Sequence, residues 1–328
     1  MVNYFRKRTA CNLFYFLNRG RPSLRPRHSN CFRPLPRVRL PLDVQKLQSW
    51  MIPADLAPGD AKSLERDWGG LELHRVESAE DPLFDEAFGT LWAEFGASGE
   101  VEQAAVLARR MRWNGHAMIN GCALRYRLML LKSGGQIVAV RDHTAIVRDD
   151  REGAVVHLSH NLVMPEWRRS GLAGWLRALP ILTARNCLAA QGRPTDAPIT
   201  LVGEMEHPDP ANLASLVRLK AYEKAGYLKI DPRQINYLQP DFHAPEEIDD
   251  QGGPRPIPLS LAVRRVGRET EDEITGQEAR DIAESLYRMY RAGFREKDMI
   301  PLFASLETYP AAETRIALLP PTADILPA

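Results

Sequence analysis

Residues 162–173 read Leu162-Val163-Met164-Pro165-Glu166-Trp167-Arg168-Arg169-Ser170-Gly171-Leu172-Ala173. An apolar run from about Ala154 to Met164 stops at Pro165, which predicts a β-strand that ends there. After a short polar turn, apolar residues recur at helical spacing from Gly171 to about Ala190. The sequence therefore predicts a strand, a tight turn and a helix.

The start of this helix is a candidate anion site. The first N–H groups of a helix have no intrahelical partner, and they lie at the positive end of the helix dipole. Gly171 allows a ligand to approach the backbone, and Ala173 is small enough not to block it. Arg168 and Arg169 add positive charge beside the turn, which suits a pyrophosphate.

The remaining patterns predict further strands and helices on both sides of this unit. Asp81 followed by Pro82 marks a helix start, and Thr275 with Glu278 forms a capping box. In chain order, the other predicted elements are a strand at Leu71 to Val76, a helix from Pro82, a helix from Glu100 to Trp113, a hairpin of Ala123 to Leu131 with Ile137 to Val147, a strand at Ile199 to Met205, a helix from Asp209 to Gly226, strands at Leu228 to Leu238 and Leu259 to Val266, and a helix from Thr275. This order predicts one mixed α/β domain.

The run Arg168 to Ala173 resembles the cofactor signature of the GNAT superfamily of acyl-CoA-dependent N-acyltransferases. That signature is Gln or Arg, two variable residues, Gly, one variable residue, then Gly or Ala. Further along, Arg218 to Tyr227 resembles the family's later helix and the strand after it. The resemblance covers Leu71 to Val266, and it implies a central mixed, mostly antiparallel sheet flanked by helices and splayed between strands four and five, here the strands ending at Met164 and beginning at Ile199.

The resemblance implies acetyl-CoA, or another acyl-CoA, as co-substrate, and no metal. Strand four pairs with the pantetheine arm through its backbone in this family, and many relatives carry an asparagine where this chain has Ser215. The residues expected to bind the cofactor are Leu162, Val163, Met164, Arg168, Arg169, Ser170, Gly171, Leu172, Ala173 and Ser215.

The resemblance also implies direct transfer of the acyl group to an amine. Tyr222 matches the tyrosine that protonates the departing CoA thiolate. His157 takes the place of a family glutamate that acts as the base, and Glu204 on the next strand is a second candidate. His160 points to the opposite face if the strand is regular, whereas Glu204 and Glu206 share one face. Structural roles for Tyr222, His157 and the glutamates remain as alternatives.

Three functions therefore stay open. The first is an N-acyltransferase, most directly an N-acetyltransferase, that acts on a small-molecule or protein amine. The second is a catalytically inactive GNAT-like module that binds acyl-CoA or a protein. The third is a transferase that uses longer acyl donors.

The charge is distributed unevenly along the 328 residues. Residues 1–42 carry ten Lys or Arg and no Asp or Glu, which leaves 33 basic and 42 acidic residues in the remainder. The excess of acidic residues after residue 42 argues against nucleic-acid binding by that part of the chain. The proline-rich segment 1–50 is expected to be disordered, or to precede a true start near Met51, with a transit peptide as the other reading.

The expected domain organisation is a GNAT domain at 70–267 and a C-terminal helical extension at 268–328, which covers the acceptor side or forms a homodimer contact. The four cysteines form no C-x-x-C pair, which favours a reducing, cytoplasmic location. No apolar run is long enough to span a membrane.

Overall fold

The structure of the chain, a computed structural model, describes residues 45–97 and 99–323. These residues belong to one compact unit, Asp43–Ala328. Most of the basic segment predicted at 1–50 lies outside the described residues, and so does the end of the expected C-terminal extension.

The described residues form one sheet of twelve strands in the order β1-β2-β4-β5-β6-β7-β10-β8-β12-β11, with β3 paired to β4 and β9 paired to β10. The strands are β1 (Gln45–Lys46), β2 (Glu72–Val76), β3 (Asn114–Ile119), β4 (Cys122–Ser133), β5 (Gln136–Arg148), β6 (Ala154–Val163), β7 (Ile199–Met205), β8 (Leu228–Ile230), β9 (Tyr237–Gln239), β10 (Ile257–Arg265), β11 (Glu273–Thr275) and β12 (Arg315–Leu319).

Helices cover both faces of this sheet. They are α1 (Pro82–Phe95), α2 (Ala104–Arg110), α3 (Leu172–Ala190), α4 (Leu213–Lys224), α5 (Pro245–Asp250), α6 (Gly276–Arg291) and α7 (Glu296–Ser305). Helices α1, α2, α6 and α7 share one apolar core with the sheet, and we call that side the α6 face. Helix α3 packs on the other side, the α3 face.

Strands β6 and β7 part soon after they begin. They pair in parallel from Ala154 with Ile199 to His157 with Val202, and every other strand pair within the described residues is antiparallel. The expected mixed, mostly antiparallel sheet, splayed between these two strands, is therefore confirmed.

A β-bulge in β6 changes which side chains share a face. Between the pairs Thr144 with His157 and Asp142 with His160, two residues of β6, one of them Ser159, oppose a single residue of β5. The extra residue breaks the regular alternation of side chains. His157 and His160, which a regular strand would place on opposite faces, therefore both lie on the α6 face.

Two predicted helices are shorter than expected. The helix predicted at Glu100 to Trp113 is reduced to α2, and strand β3, which was not predicted, follows it. Helix α4 begins at Leu213 rather than near Asp209, because the side chain of Asn212 accepts a hydrogen bond from the N–H of Ser215 and so caps the helix.

The segment after residue 267 is more than a helical extension. Helix α6 starts at the predicted cap, where the Thr275 hydroxyl accepts a hydrogen bond from the Glu278 N–H at 3.1 Å. Strand β12 then joins the main sheet by pairing with β8. The C-terminal segment is thus built into the same core as the strands before it.

The first described residues also belong to the fold. Strand β1 pairs with β2, and the N–H of the fully buried Leu47 donates to the Leu71 carbonyl at 3.0 Å. Farther along, Asp60 forms an ion pair with Arg177 of α3. The segment preceding β2, which lies before the predicted 70–267 domain, therefore packs against the helix that begins at the signature.

We expect Leu47→Ala to lower the free energy of unfolding by about 2–5 kcal/mol, because the substitution leaves a cavity beneath the first strand. Urea denaturation would measure the change. The control is Leu64→Ala in the same segment, where a side chain that is 52% exposed should cost less than about 0.5 kcal/mol. If Leu47→Ala lowered the free energy of unfolding by no more than the small change expected for the control, the segment would not contribute to the core.

Candidate functional site

The parting of β6 and β7 opens a cleft of about 710 Å³ that reaches both faces of the sheet. Ala173, Arg177 and Tyr222 line it on the side of α3 and α4, and His157, His160 and Tyr290 line it on the α6 face. The cleft thus brings together residues predicted to bind the cofactor and residues predicted to take part in proton transfer.

The turn before α3 has the backbone that the signature requires. Gly171 has φ of 95°, a conformation that residues with a side chain rarely adopt, and a Cβ there would lie 3.4 Å from the Cα of Ser63. The Ser170 hydroxyl accepts a hydrogen bond from the N–H of Leu172 at 3.2 Å. The Nε of Arg168 donates to the Val163 carbonyl at 3.1 Å, which holds the arginine beside the cleft.

The far part of β6 presents an open backbone edge to the cleft. Because N–H groups alternate in direction along a strand, the Met164 N–H, which donates to the Val138 carbonyl at 3.0 Å, marks the residues that face β5. Leu162 shares that direction. The backbones of Val163 and Asn161 therefore face the open edge, and Asn161 was not predicted.

This direction corrects two of the predicted cofactor residues. The backbone N–H groups of Leu162 and Met164 are turned to β5 and cannot pair with a ligand in the cleft. The side chain of Leu162 still lines the cleft, whereas Met164 packs against the core on the α6 face. Of the three strand residues predicted, only Val163 presents its backbone to the cleft.

His157 and Glu204 meet where the two strands part. The Nε2 of His157 lies 2.7 Å from Oε2 of Glu204, and both side chains are buried. The Nδ1 of His157 lies 3.1 Å from the hydroxyl of Ser159. The two residues predicted as candidate bases are therefore one hydrogen-bonded pair.

Other donors converge on the Glu204 carboxylate. The hydroxyls of Tyr237 and Tyr290 each donate to it at 2.6 Å, and the amide of Gln239 donates at 3.2 Å. Burial alone would raise the pKa of Glu204, but His157 and the hydroxyls of Tyr237 and Tyr290 hold that pKa below its ordinary value. Glu204 is therefore an ionised acceptor at neutral pH.

His160 belongs to a separate ion pair. Its Nδ1 lies 2.8 Å from Asp142, its Nε2 lies 3.1 Å from the Glu100 carbonyl, and the Tyr126 hydroxyl donates to the same carboxylate at 3.0 Å. Burial alone would lower the pKa of His160, but the Asp142 charge raises that pKa to about 9. A histidine that donates from both nitrogens is not available as a base.

The helix after β7 places Tyr222 and Ser215 differently. Tyr222 is half-buried, lines the cleft, and lies beneath the Arg177 guanidinium, 6.0 Å from the ring centroid. Ser215 is fully buried and does not line the cleft, whereas the cap residue Asn212 does. The prediction that Ser215 faces the cofactor therefore does not agree with the position of its side chain.

Some of the other residues singled out in the sequence line the cleft, and others do not. Arg168 and Ala173 line the cleft, whereas Leu172 is fully buried in the core on the α3 face. Arg169 is exposed with φ of 61°, and the Ser170 hydroxyl accepts from the N–H of Leu172, the first residue of α3. Glu206 lines the cleft and forms an ion pair with Arg218 of α4.

Two side chains at the cleft carried no usable signal in the sequence. Tyr290 lies on α6 among apolar residues at helical spacing, so its pattern indicated only a core position. Arg177 lies on a predicted helix and pairs with Asp60, which is far away in sequence. The cap role of Asn212, by contrast, was available from its residue type at a helix start.

Within residues 45–97 and 99–323, no group of three or more His, Cys, Asp or Glu side chains is arranged to hold a metal ion. No helix in that part of the chain combines the length and apolar character needed to cross a bilayer.

The His160 pair predicts a pH dependence of stability. The pKa of His160 is raised above its value in the unfolded chain. The stabilisation that the ion pair adds to the free energy of unfolding should therefore be complete below about pH 6.5 and lost as the pH rises through about 9. We expect urea unfolding of the wild type to show this decline. His160→Gln should be less stable than the wild type at pH 6.5, and its free energy of unfolding should not show this decline as the pH rises.

The control for this measurement is His116→Gln, which removes an exposed histidine and should keep the wild-type slope. A wild-type slope in His160→Gln would mean that another group titrates in this window.

No protein-family model matches the chain, and no curated protein matches it. Solved structures do. The tandem GNAT protein of the clavulanic acid biosynthesis pathway is 20% identical over 53% of this chain, with a TM-score of 0.32. Ard1 from Thermoplasma volcanium is 14% identical over 60% of this chain, with a TM-score of 0.33. YncA from Salmonella typhimurium, solved with its cofactor acetyl-CoA, is 13% identical over 60% of this chain, with a TM-score of 0.32.

The matches span half of the tandem protein, 98% of Ard1 and 94% of YncA. At these identities and TM-scores, the likeness says nothing of activity or of individual residues. The splay between β6 and β7, present in the chain's own backbone, is the feature that the GNAT resemblance predicted. The chain has a mixed α/β fold whose mostly antiparallel sheet is splayed between its two parallel strands.

Proposed function

We propose that the protein is an N-acyltransferase that moves an acyl group, in the first instance acetyl, from acyl-CoA to an amine. One observation carries the proposal. A single cleft has the first turn of α3 with Arg168 on one side of the splayed sheet and the His157–Glu204 pair on the other. Acyl transfer to an amine needs both an anion site and a proton acceptor.

The α3 face supplies the features that a CoA donor requires. The first turn of α3 and the Arg168 guanidinium suit a pyrophosphate. The Val163 carbonyl is taken by Arg168, but the Val163 N–H and the backbone of Asn161 face the open edge and suit the amide groups of a pantetheine arm, which pair with a strand as another strand would. The same N–H groups suit an oxyanion that develops on the thioester carbonyl.

The other two roles fall to side chains at the centre of the cleft. An amine acceptor is protonated at neutral pH, and His157, held by the ionised Glu204, would accept its proton. Tyr222, on the side of α3, would protonate the departing thiolate. Transfer would then be direct from thioester to amine.

The test of the function is incubation of the purified protein with acetyl-CoA and a panel of primary amines, with products identified by mass spectrometry. Longer acyl-CoAs, offered in parallel, would identify the donor. An amide product supports transfer. Tight binding of acyl-CoA without any product would instead support the inactive binding module.

We expect Ala173→Glu to weaken acetyl-CoA binding by about tenfold or more, because the new carboxylate enters the cleft where the pyrophosphate charge is expected. Folding should be unaffected, because acidic residues are favourable in the first turn of a helix. Titration calorimetry would measure the affinity.

The matched control is Ala189→Glu, the same change at an exposed position near the other end of α3. Its affinity should equal that of the wild type. Unchanged affinity in Ala173→Glu would place the CoA phosphates elsewhere.

We expect Tyr222→Phe to reduce turnover by about 10²- to 10⁴-fold while acetyl-CoA affinity changes by less than about threefold, because the hydroxyl acts only as the thiolate leaves. Thiol release measures turnover. Tyr227→Phe is the control, since Tyr227 packs edge-on against Tyr222, is fully buried and does not line the cleft. Wild-type turnover in Tyr222→Phe would return that residue to a packing role.

A further inference from the structure

His157 has no ring nitrogen that a substrate can reach directly. The imidazole is buried, its Nε2 lies against Glu204 and Tyr290, and its Nδ1 lies against Ser159. A base for an amine in the cleft therefore needs an intermediary. Within the described residues, the side chain that is hydrogen-bonded to Nδ1 is Ser159, and Ser159 lines the cleft.

The chemistry of Glu204 decides which nitrogen carries the proton. An ionised carboxylate can only accept hydrogen bonds, so the Nε2 facing it at 2.7 Å carries hydrogen. A neutral imidazole then has its lone pair on Nδ1. At 3.1 Å, that lone pair accepts from the hydroxyl of Ser159, which leaves the serine oxygen free to accept a proton from the cleft side.

The bulge in β6 makes this contact. In a regular strand the side chains of residues 157 and 159 would stand side by side, both upright from the sheet. The extra residue at the bulge re-aims the strand locally, as bulges beside active sites do. Ser159 is half-buried there, in contact with both the histidine and the cleft.

We propose that Ser159 is the catalytic residue that takes the proton from the acceptor amine and passes its own proton to His157. This inference rests on the proposed acyl transfer. The serine oxygen accepts a proton from the substrate ammonium while its hydroxyl proton moves to Nδ1. Serine is a hydroxyl before and after, and the amine nitrogen keeps the electron pair with which it attacks the thioester. The imidazolium that results is stabilised by the Glu204 carboxylate.

The groups hydrogen-bonded within this relay come from four elements, and the Arg110 guanidinium of α2 lies over the Tyr290 ring, 5.7 Å from its centroid. His157 and Ser159 lie on β6, Glu204 on β7, Tyr237 on β9 and Tyr290 on α6. Both tyrosines donate to the carboxylate, so neither competes for the lone pair of Nδ1.

The experiment compares Ser159→Ala with Ser159→Thr, using acetyl-CoA and an amine that the wild type acetylates. Ser159→Ala should lose about 10²-fold in turnover with unchanged acetyl-CoA affinity, because it lacks only the relay hydroxyl. Ser159→Thr keeps the hydroxyl and should retain most of the activity. Ser285→Ala, which removes a buried hydroxyl on α6 away from the cleft, is the control and should match the wild type.

A second measurement does not depend on the acceptor. The ¹⁵N signals of His157, assigned with His157→Gln, should show a protonated Nε2 and an unprotonated Nδ1 in the resting protein. Protonated Nδ1 at neutral pH would overturn the relay.

The remaining outcomes separate the relay from the proposed function. Full activity in Ser159→Ala would overturn the relay alone, and so would a covalent acyl group on Ser159 found by mass spectrometry, since that would make the serine a nucleophile. If the wild type acetylates no amine while its His157 signals are as expected, the proposed function fails, and the relay's role in transfer fails with it.

Discussion

The architecture depends on the parting of two parallel strands after four paired residues. Beyond His157, no strand of the described residues pairs with the free side of β6, so the backbone polar groups there are left to side chains, solvent or a ligand, and the Val163 carbonyl already accepts from Arg168. The strands are joined at the point of parting by the bond between His157 and Glu204. The same geometry therefore opens the cleft, exposes a line of N–H and C=O groups, and positions a histidine and a carboxylate at its apex.

Segments outside the central strands hold this opening in place. On the α3 face, Asp60 pairs with Arg177, and the hydroxyl of Ser63 donates to the Gly171 carbonyl at 2.7 Å, which supports the turn before α3. On the α6 face, Tyr290 comes from a helix that shares one apolar core with the C-terminal strand β12. The opening is thus stabilised from both sides by chain segments that flank the region resembling the GNAT family.

Local patterns were enough to predict some of this structure. The turn at Gly171 and the caps at Asp81 and Thr275 depend on a few neighbouring residues, and each was found as predicted. The bulge at Ser159 follows from pairing with β5, which local alternation does not report. Helix α4 starts later than predicted because Asn212 caps it, and the buried position of Ser215 on that helix is set by packing that the local sequence does not report. Tyr290 reaches Glu204 across 86 residues, a contact that helical periodicity could not indicate.

The assembly of the Glu204 pocket has a consequence for biosynthesis. Its donors arrive in the order β6, β9 and α6, and the last of them, Tyr290, is 133 residues beyond His157. A nascent chain that has emerged only through β7 holds a carboxylate without its tyrosine donors, and contacts between such distant residues form late because closing long loops costs entropy. The ribosome must therefore release almost the whole domain before the hydrogen-bonded pocket around Glu204 is complete.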